Sequence, residues 1–365
     1  MRYCFIAIAC IVVSTAAYCQ KKSNKNFAVI AYYTGNNTMI DSFPVEKLTH
    51  IIYSFAHLSG DSISLRNNKD SITLQHLVAL KERNPKLKIM ISLGGWGGCA
   101  TCSDVFADEE QRKTFAQTVK QLLDYFHLDG IDLDWEYPAT EGYPGHKYMP
   151  EDKNNFTALV KQLRHVLGKK SEISFAVGGS KYQIDYSYDW RKVMPLVNRV
   201  NLMSYDLAPT NFSSHHTALF SSAKQMLSAD NGIQELKRLG VAAGKIVIGA
   251  AFYARVFASD TTLNNGLYQP AKFEYGVSFK NFDSSFSQSK GYKYYWDTVA
   301  QAPFFFNEGQ RLFASFDDKT SVKLKTKYAI QNNLNGIMFW ELRDDSFTNG
   351  LLDAINEEKQ KLIKQ

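Results

Sequence analysis

Three acidic side chains carry the chemistry this sequence offers. In the stretch DGIDLDWEYP, which runs from Asp129 to Pro138, Asp132, Asp134 and Glu136 alternate with Ile131, Leu133 and Trp135. Successive side chains of a β-strand point to opposite faces, so an extended backbone sets the three carboxyls on one face and the bulky apolar groups on the other. Neighbouring carboxyls then lie about 6–7 Å apart along the strand. Such a row cannot ionise fully without cost, because burial and like charge both favour the protonated acid, and its members share protons. A carboxylic acid lifted in this way can donate a proton near neutral pH, which is the work of a general acid. Glu136, nearest the open end of the strand, is the candidate donor, with Asp134 and Asp132 successively deeper. Asp129 has the opposite parity and is expected to serve structure at the strand entrance. A charged edge strand on a solvated sheet is the plainer alternative, but it leaves Ile131, Leu133 and Trp135 without cover.

The elements that must position this row alternate along the chain. Residues 27–33 and 48–55 are β-rich runs. Apolar spacing through Leu74, Leu77, Val78 and Leu80 predicts a helix over 74–83, which Pro85 ends before a third strand at 88–93. A helix over 109–126, with Phe115, Val119, Leu122, Leu123 and Phe126 on one stripe, leads into the acidic strand as the fourth. Helices are expected over 154–167, around 191–197, over 223–239 and over 321–332; strands are expected at 173–177, 200–204, 246–251 and 336–340. Eight strands alternating with helices predict a (β/α)8 TIM barrel. Periodicity alone also admits an open doubly wound sheet, but the acidic residues fall at the C-terminal end of a strand, where barrel sites sit. Residues 256–316 break the alternation with short aromatic strands and turns, too long for a loop, and are expected to form a small α+β insertion after the seventh strand. The barrel is therefore assigned to 20–255 and 317–365.

With 365 residues, 45% of them hydrophobic, the chain can bury a large core. Its 42 basic and 36 acidic side chains leave a formal charge of +6, spread without the basic stripe a nucleic-acid surface needs. Arg2, an apolar stretch to Val13 and small residues before Gln20 form the pattern of a secretory signal peptide over residues 1–19, implying a secreted or periplasmic protein; acylation at Cys19 is the lipoprotein alternative. No segment reaches the roughly 20 apolar residues of a membrane span. Beyond the leader only Cys99 and Cys102 remain, and in an exported chain they are expected to form a local disulfide. No metal or cofactor is expected: the histidines, including His215 and His216, lack ligand spacing and are expected at the surface or in loops. A monomer is expected.

The acidic strand is one of several connected motifs. Its D-x-x-D-x-D-x-E pattern resembles the signature of glycoside hydrolase family 18, the chitinases and their relatives. Ser92-Leu93-Gly94-Gly95-Trp96 resembles that family's third-strand motif, Met203-Ser204-Tyr205-Asp206 its sixth-strand motif, and Gly336 to Glu341 its eighth-strand motif with a sugar-stacking tryptophan. Gly249 to Arg255 departs from a further motif, which usually has proline at the position of Ala251 and glycine at that of Ala254, while Tyr253 and Arg255 fit it.

The resemblance implies substrate-assisted hydrolysis. Glu136 would protonate the leaving oxygen, the substrate's 2-acetamido oxygen would attack the anomeric carbon, Asp134 would orient the acetamido group with Asp132 behind it, and Tyr205 would hydrogen-bond its oxygen. Trp340 is expected to stack on a pyranose ring, Met338 to pack against the acetamido pocket, Asp206 to hydrogen-bond substrate beside Tyr205, Arg255 to contact sugar, Met203 and Tyr253 to belong to the substrate-binding set, and Trp96 to stack at another subsite or pack under the Cys99–Cys102 loop. Tyr32 and Phe55 have core packing as their default. The implied partner is chitin or another N-acetylglucosamine-containing glycan. An endo-β-N-acetylglucosaminidase acting on N-glycans is the nearest alternative; a chitin-binding lectin would have lost the proton donor, and Glu136 is present.

Overall fold

The computed structural model describes residues 27–363; the expected leader, with Cys19, lies outside them. Eight strands are parallel neighbours in chain order: β1 Ala28–Tyr33, β2 His50–Ser59, β3 Lys88–Gly94, β4 Gly130–Asp134, β5 Glu172–Gly178, β6 Arg199–Met203, β7 Ile246–Ala251 and β8 Gly336–Trp340. β1 pairs with β8 on one side and β2 on the other, which closes the (β/α)8 barrel and leaves no open doubly wound edge. Strands of such a barrel are covered on both faces, and all six residues of β1 are buried accordingly.

Side-chain alternation divides the interior from the helix layer. Val29, Ala31 and Tyr33 join the outer core with Ile131, Leu133 and Trp135, whereas Ile30 and Tyr32 point inward with Ile52, Met90, Val247 and Met338. That inner cluster fills the sector formed by β7, β8, β1, β2 and β3. The sector formed by β4, β5 and β6 instead presents Asp132, Ser174 and Asn201, all fully buried.

The helix Glu109–Phe126 spans its predicted range: Asp108 accepts from the Gln111 N–H at its start, and five apolar residues lie on its buried face. Two other helices start away from their predicted positions, each because a polar cap decides the start. Asn67 caps a helix at Asn68–Ala79, six residues before the first apolar position expected. Ser228 caps Ala229–Arg238, so residues 223–228, expected to be helical, form a turn in which Gln225 donates to the carbonyls of His215 and Leu227.

Between β7 and β8 lies a second, antiparallel sheet, ordered Tyr292–Asp297, Ala302–Asn307, Leu312–Ser315, Tyr253–Ser259, Gln269–Ser278 and Phe212–Ser213. Its strand Tyr253–Ser259 crosses the expected boundary at Val256, and its last strand comes from the loop after β6. Phe257, Phe304, Phe306 and Phe313 form one face of its core; Phe282, Phe286 and Phe316 form the other.

Opposite the site, at the N-terminal ends of the barrel strands, Glu172 is buried among basic side chains. Arg199 Nη2 lies 2.6 Å and His50 Nε2 3.3 Å from its Oε2, and Lys88 pairs with its Oε1. Burial works to raise this carboxyl, but the His50 hydrogen bond and the Arg199 charge outweigh it and hold Glu172 well below the usual carboxylate range.

Candidate active site

β4 ends at Asp134, and Trp135 and Glu136 continue from it into the barrel mouth. Asp132 is enclosed by hydroxyls and an amide: Oδ2 accepts from Tyr32 at 3.0 Å and Ser92 at 2.9 Å, Oδ1 from Ser174 at 2.6 Å and Asn201 at 3.1 Å. Burial raises its pKa, and the hydrogen bonds from Ser174, Ser92 and Tyr32 pull it back. Asp134, 4% exposed, has a different environment. Its Oδ1 is buried without a hydrogen-bond partner among the described residues, and burial followed by the charges of Glu136 and Asp132 pushes its carboxyl well above the ordinary value. Burial also lifts Glu136 to about 7; a hydrogen bond with Tyr137 opposes the rise and the charge of Asp206 adds to it. All three carboxyls are therefore raised: Asp132 is the one satisfied by hydrogen bonds, Asp134 behind the mouth is pushed well up, and Glu136 is poised to hold a proton near neutral pH.

The glycines after β3 let a loop lie directly against this row. Gly95, at φ 78°, donates its N–H to the Asp134 carbonyl at 2.8 Å, and a Cβ there would run into the Phe55 ring. Cys99 and Cys102 close the same loop with a disulfide. Trp96 at its tip is 59% exposed and meets Tyr143 edge-on at 5.5 Å, so it stands at the rim, clear of the loop core.

The other predicted residues fall into two groups. Tyr32, Phe55 and Trp340 form an aromatic floor: Phe55 stacks on Trp340 at 5.6 Å and 19°, and Tyr32 lies 5.9 Å from Trp340. Tyr32 is thus both core and a partner of Asp132. Met203, Tyr205, Asp206, Tyr253 and Arg255 gather on the opposite wall, where Glu136, Met203, Tyr205 and Asp206 border a cavity of about 170 Å³. Among the described residues Tyr205 donates to Met338 Sδ, at 3.8 Å, and its hydroxyl stays protonated because burial and then the charge of Asp134 raise its pKa. Arg255 donates to the Ala208 carbonyl at 2.9 Å and lies 3.5 Å from Asp206 Oδ1, its guanidinium 4.6 Å from the Phe273 ring centre. Its side chain is 11% exposed, so it reaches the cleft chiefly through Asp206.

His215 and His216, expected at the surface or in loops, are loop residues but fully buried. The insertion sheet covers their loop: His216 lies 3.2 Å from the Tyr253 carbonyl and His215 3.2 Å from Asp297. Sequence reasoning also passed over Ser174 and Asn201, although each is a polar residue at an inward position of an otherwise apolar strand. Glu341, quoted only within the eighth-strand motif, is held by the Thr34 N–H and hydroxyl at the edge of a groove of about 490 Å³ beside Trp340. Among the described residues no cluster of His, Cys, Asp and Glu is placed to hold a metal ion, and no helix is long and apolar enough to cross a membrane.

The family model for glycosyl hydrolases family 18 matches residues 28–345, which include all eight barrel strands and the insertion. The chain belongs to family 18. Within that family it is 33% identical to chitinase A1 of Niallia circulans over 74% of this chain, and spans 42% of that relative's length. It is 28% identical to chitotriosidase-1 of Mus musculus over 82% of this chain and 67% of that one. Among solved structures, a glycoside hydrolase family 18 N-acetylglucosaminidase from Paenibacillus barengoltzii superposes with a TM-score of 0.84 at 32% identity, covering 91% of this chain and all of that one. The family 18 assignment places the chain among glycosidases and matches the motifs that carry the acidic row.

Proposed function

We propose that the chain is a secreted chitinase, cleaving β-1,4 bonds between N-acetylglucosamine units of chitin or its oligomers with retention of configuration. The observation that carries this function is the unpartnered Asp134 Oδ1, buried between Asp132 and Glu136. A buried carboxyl oxygen without a donor is costly, and a substrate acetamido N–H is a group that satisfies it. In the first step Glu136 gives its proton to the glycosidic oxygen as that bond breaks, and the acetamido oxygen bonds to the anomeric carbon on the other side, giving an oxazolinium ion. Asp134 accepts the N–H, its own proton being shared with Asp132, and the negative charge of that pair balances the positive one. Tyr205 donates to the acetamido oxygen, its present thioether partner being a weak acceptor that is easily exchanged. Water then attacks the anomeric carbon, yields its proton to the Glu136 carboxylate and restores the acetamide. Export is supported by the leader pattern over residues 1–19.

Incubation with chitin oligomers checks the reaction: short N-acetylglucosamine products are expected, and their absence overturns it. Oligomers with free amines at the cleaved residue should survive, because they lack the internal nucleophile. A second function, cleavage in the core of N-glycans, is supported loosely by likeness to the Paenibacillus N-acetylglucosaminidase. Deglycosylation of a high-mannose glycoprotein without chitin cleavage would select it.

A further inference from the structure

The loop after β6 brings His216 behind Asp206, with none of its side chain exposed. Its Nε2 lies 3.2 Å from the Tyr253 main-chain oxygen. A carbonyl only accepts, so Nε2 carries the hydrogen and Nδ1 is the lone-pair nitrogen of a neutral ring. Nδ1 in turn accepts from the main-chain N–H of Asp206 at 3.4 Å and stands 3.6 Å from Asp206 Oδ1. The neutral ring therefore holds the backbone, not the carboxylate, of a residue whose φ is 55°, a left-handed conformation uncommon for residues other than glycine.

Other charged groups converge on the same place. Arg255, from the strand Tyr253–Ser259, lies 3.5 Å from the same Oδ1, and the Tyr253 side chain hydrogen-bonds to Asp206. Asp317, ahead of the helix Lys319–Gln331, acts on His216 from behind, and Asp206 acts on Glu136 in front. Burial holds the imidazole below its ordinary value against the upward pull of Asp206, while Arg255 adds to the lowering, so the ring is neutral at neutral pH.

We propose that His216 is a positioning residue of the acid machinery: through Nδ1 it fixes Asp206 close to Glu136, and through Nε2 it ties that position to the first strand of the insertion. This rests on Glu136 being the proton donor. Held in place, the Asp206 carboxylate favours the protonated form of Glu136 by like-charge repulsion. The Asp206 side chain is 55% exposed and its aim follows the backbone that Nδ1 holds, so with that backbone released the carboxylate can shift away from Glu136 toward Arg255 and solvent, where water screens its charge.

Two substitutions separate the contacts. Asparagine at 216 places a polar atom near the position of Nδ1 and loses the reach to Tyr253; glutamine reaches the position of Nε2 and abandons Asp206. In His216→Gln the alkaline limb of kcat should move to lower pH by about one pH unit, while His216→Asn keeps the limb near its wild-type position. Equal displacement in both variants, or displacement in neither, overturns the proposal, as does a loss of thermal stability with no change in the limb. The ionisation of Glu136, followed by NMR on carboxyl-labelled protein with Glu136→Gln for assignment, should show the same difference without any substrate. It therefore tests the tether even if the wild-type chain fails to cleave chitin oligomers, a failure that counts against the proposed function. Nitrogen NMR of the wild-type ring needs no variant: a neutral Nε2–H tautomer is expected, and Nδ1–H would overturn the proposal.

Discussion

Glu172 and Glu136 belong to the same barrel and stand at its opposite ends, in opposite electrical states. Both are withdrawn from water, which by itself raises a carboxyl pKa. At the base Arg199, His50 and Lys88 surround Glu172 and hold it ionised. At the mouth Glu136 has Asp206 and the acidic row for neighbours and is lifted to about 7. Burial raises both carboxyls: at Glu136 it prevails, with the charge of Asp206 adding to it, whereas at Glu172 the surrounding donors overturn it. One glutamate serves as a structural anion and the other is equipped to hand over a proton.

The largest test of this contrast is Glu136→Gln, which removes the proton donor while keeping shape. Turnover should fall by about 10²–10⁴-fold with oligosaccharide binding retained; comparable turnover would take Glu136 out of the acid role. Glu172→Gln should act on stability instead, costing about 3–5 kcal/mol by leaving Arg199 buried beside a neutral partner. Chemical denaturation measures that cost, and an unchanged midpoint would contradict the anionic state.

The pH dependence has opposite signs at the two ends. Glu172 is depressed, so its stabilising contribution is complete above its ordinary value of 4.5 and is lost as pH falls below it. Glu136 is raised from 4.5 to about 7, so across that window the folded state holds the proton more tightly than the unfolded state, and stability falls as pH rises. Thermal melting across pH should show Glu172→Gln losing the acid-side decline and Glu136→Gln losing the neutral-side one. The smallest expected effect is at Ala251, whose N–H donates to Asp317 Oδ2 at 2.9 Å. Ala251→Pro deletes that donor and should cost about 1.5–3 kcal/mol, although proline is the usual residue of the resembled motif.

The acidic row was legible because a period of two is written directly in the order Asp132, Leu133, Asp134, Trp135, Glu136. The barrel was legible from eight such runs and the helices between them. Helix starts were less so, since Asn67 and Ser228 override the apolar spacing that follows them. The wall around Asp206 was not legible as a unit, because His216, Tyr253 and Arg255 meet only once the insertion sheet has folded over the loop after β6. Glu172 gave no signal either; a glutamate before a strand becomes an anion at the barrel base only through His50, Lys88 and Arg199, which come from three other strands.

On the proposed function, the lining of the site would also act as a sieve. A group descending past Glu136 meets the sulfur and ring surface of Met338, Met203 and Tyr205 on one side and the carboxyl of Asp134 on the other. An amide bearing a methyl matches both sides at once. A bare amine would waste the first and a hydrocarbon the second, so such a lining would discriminate among substituents before any bond is broken.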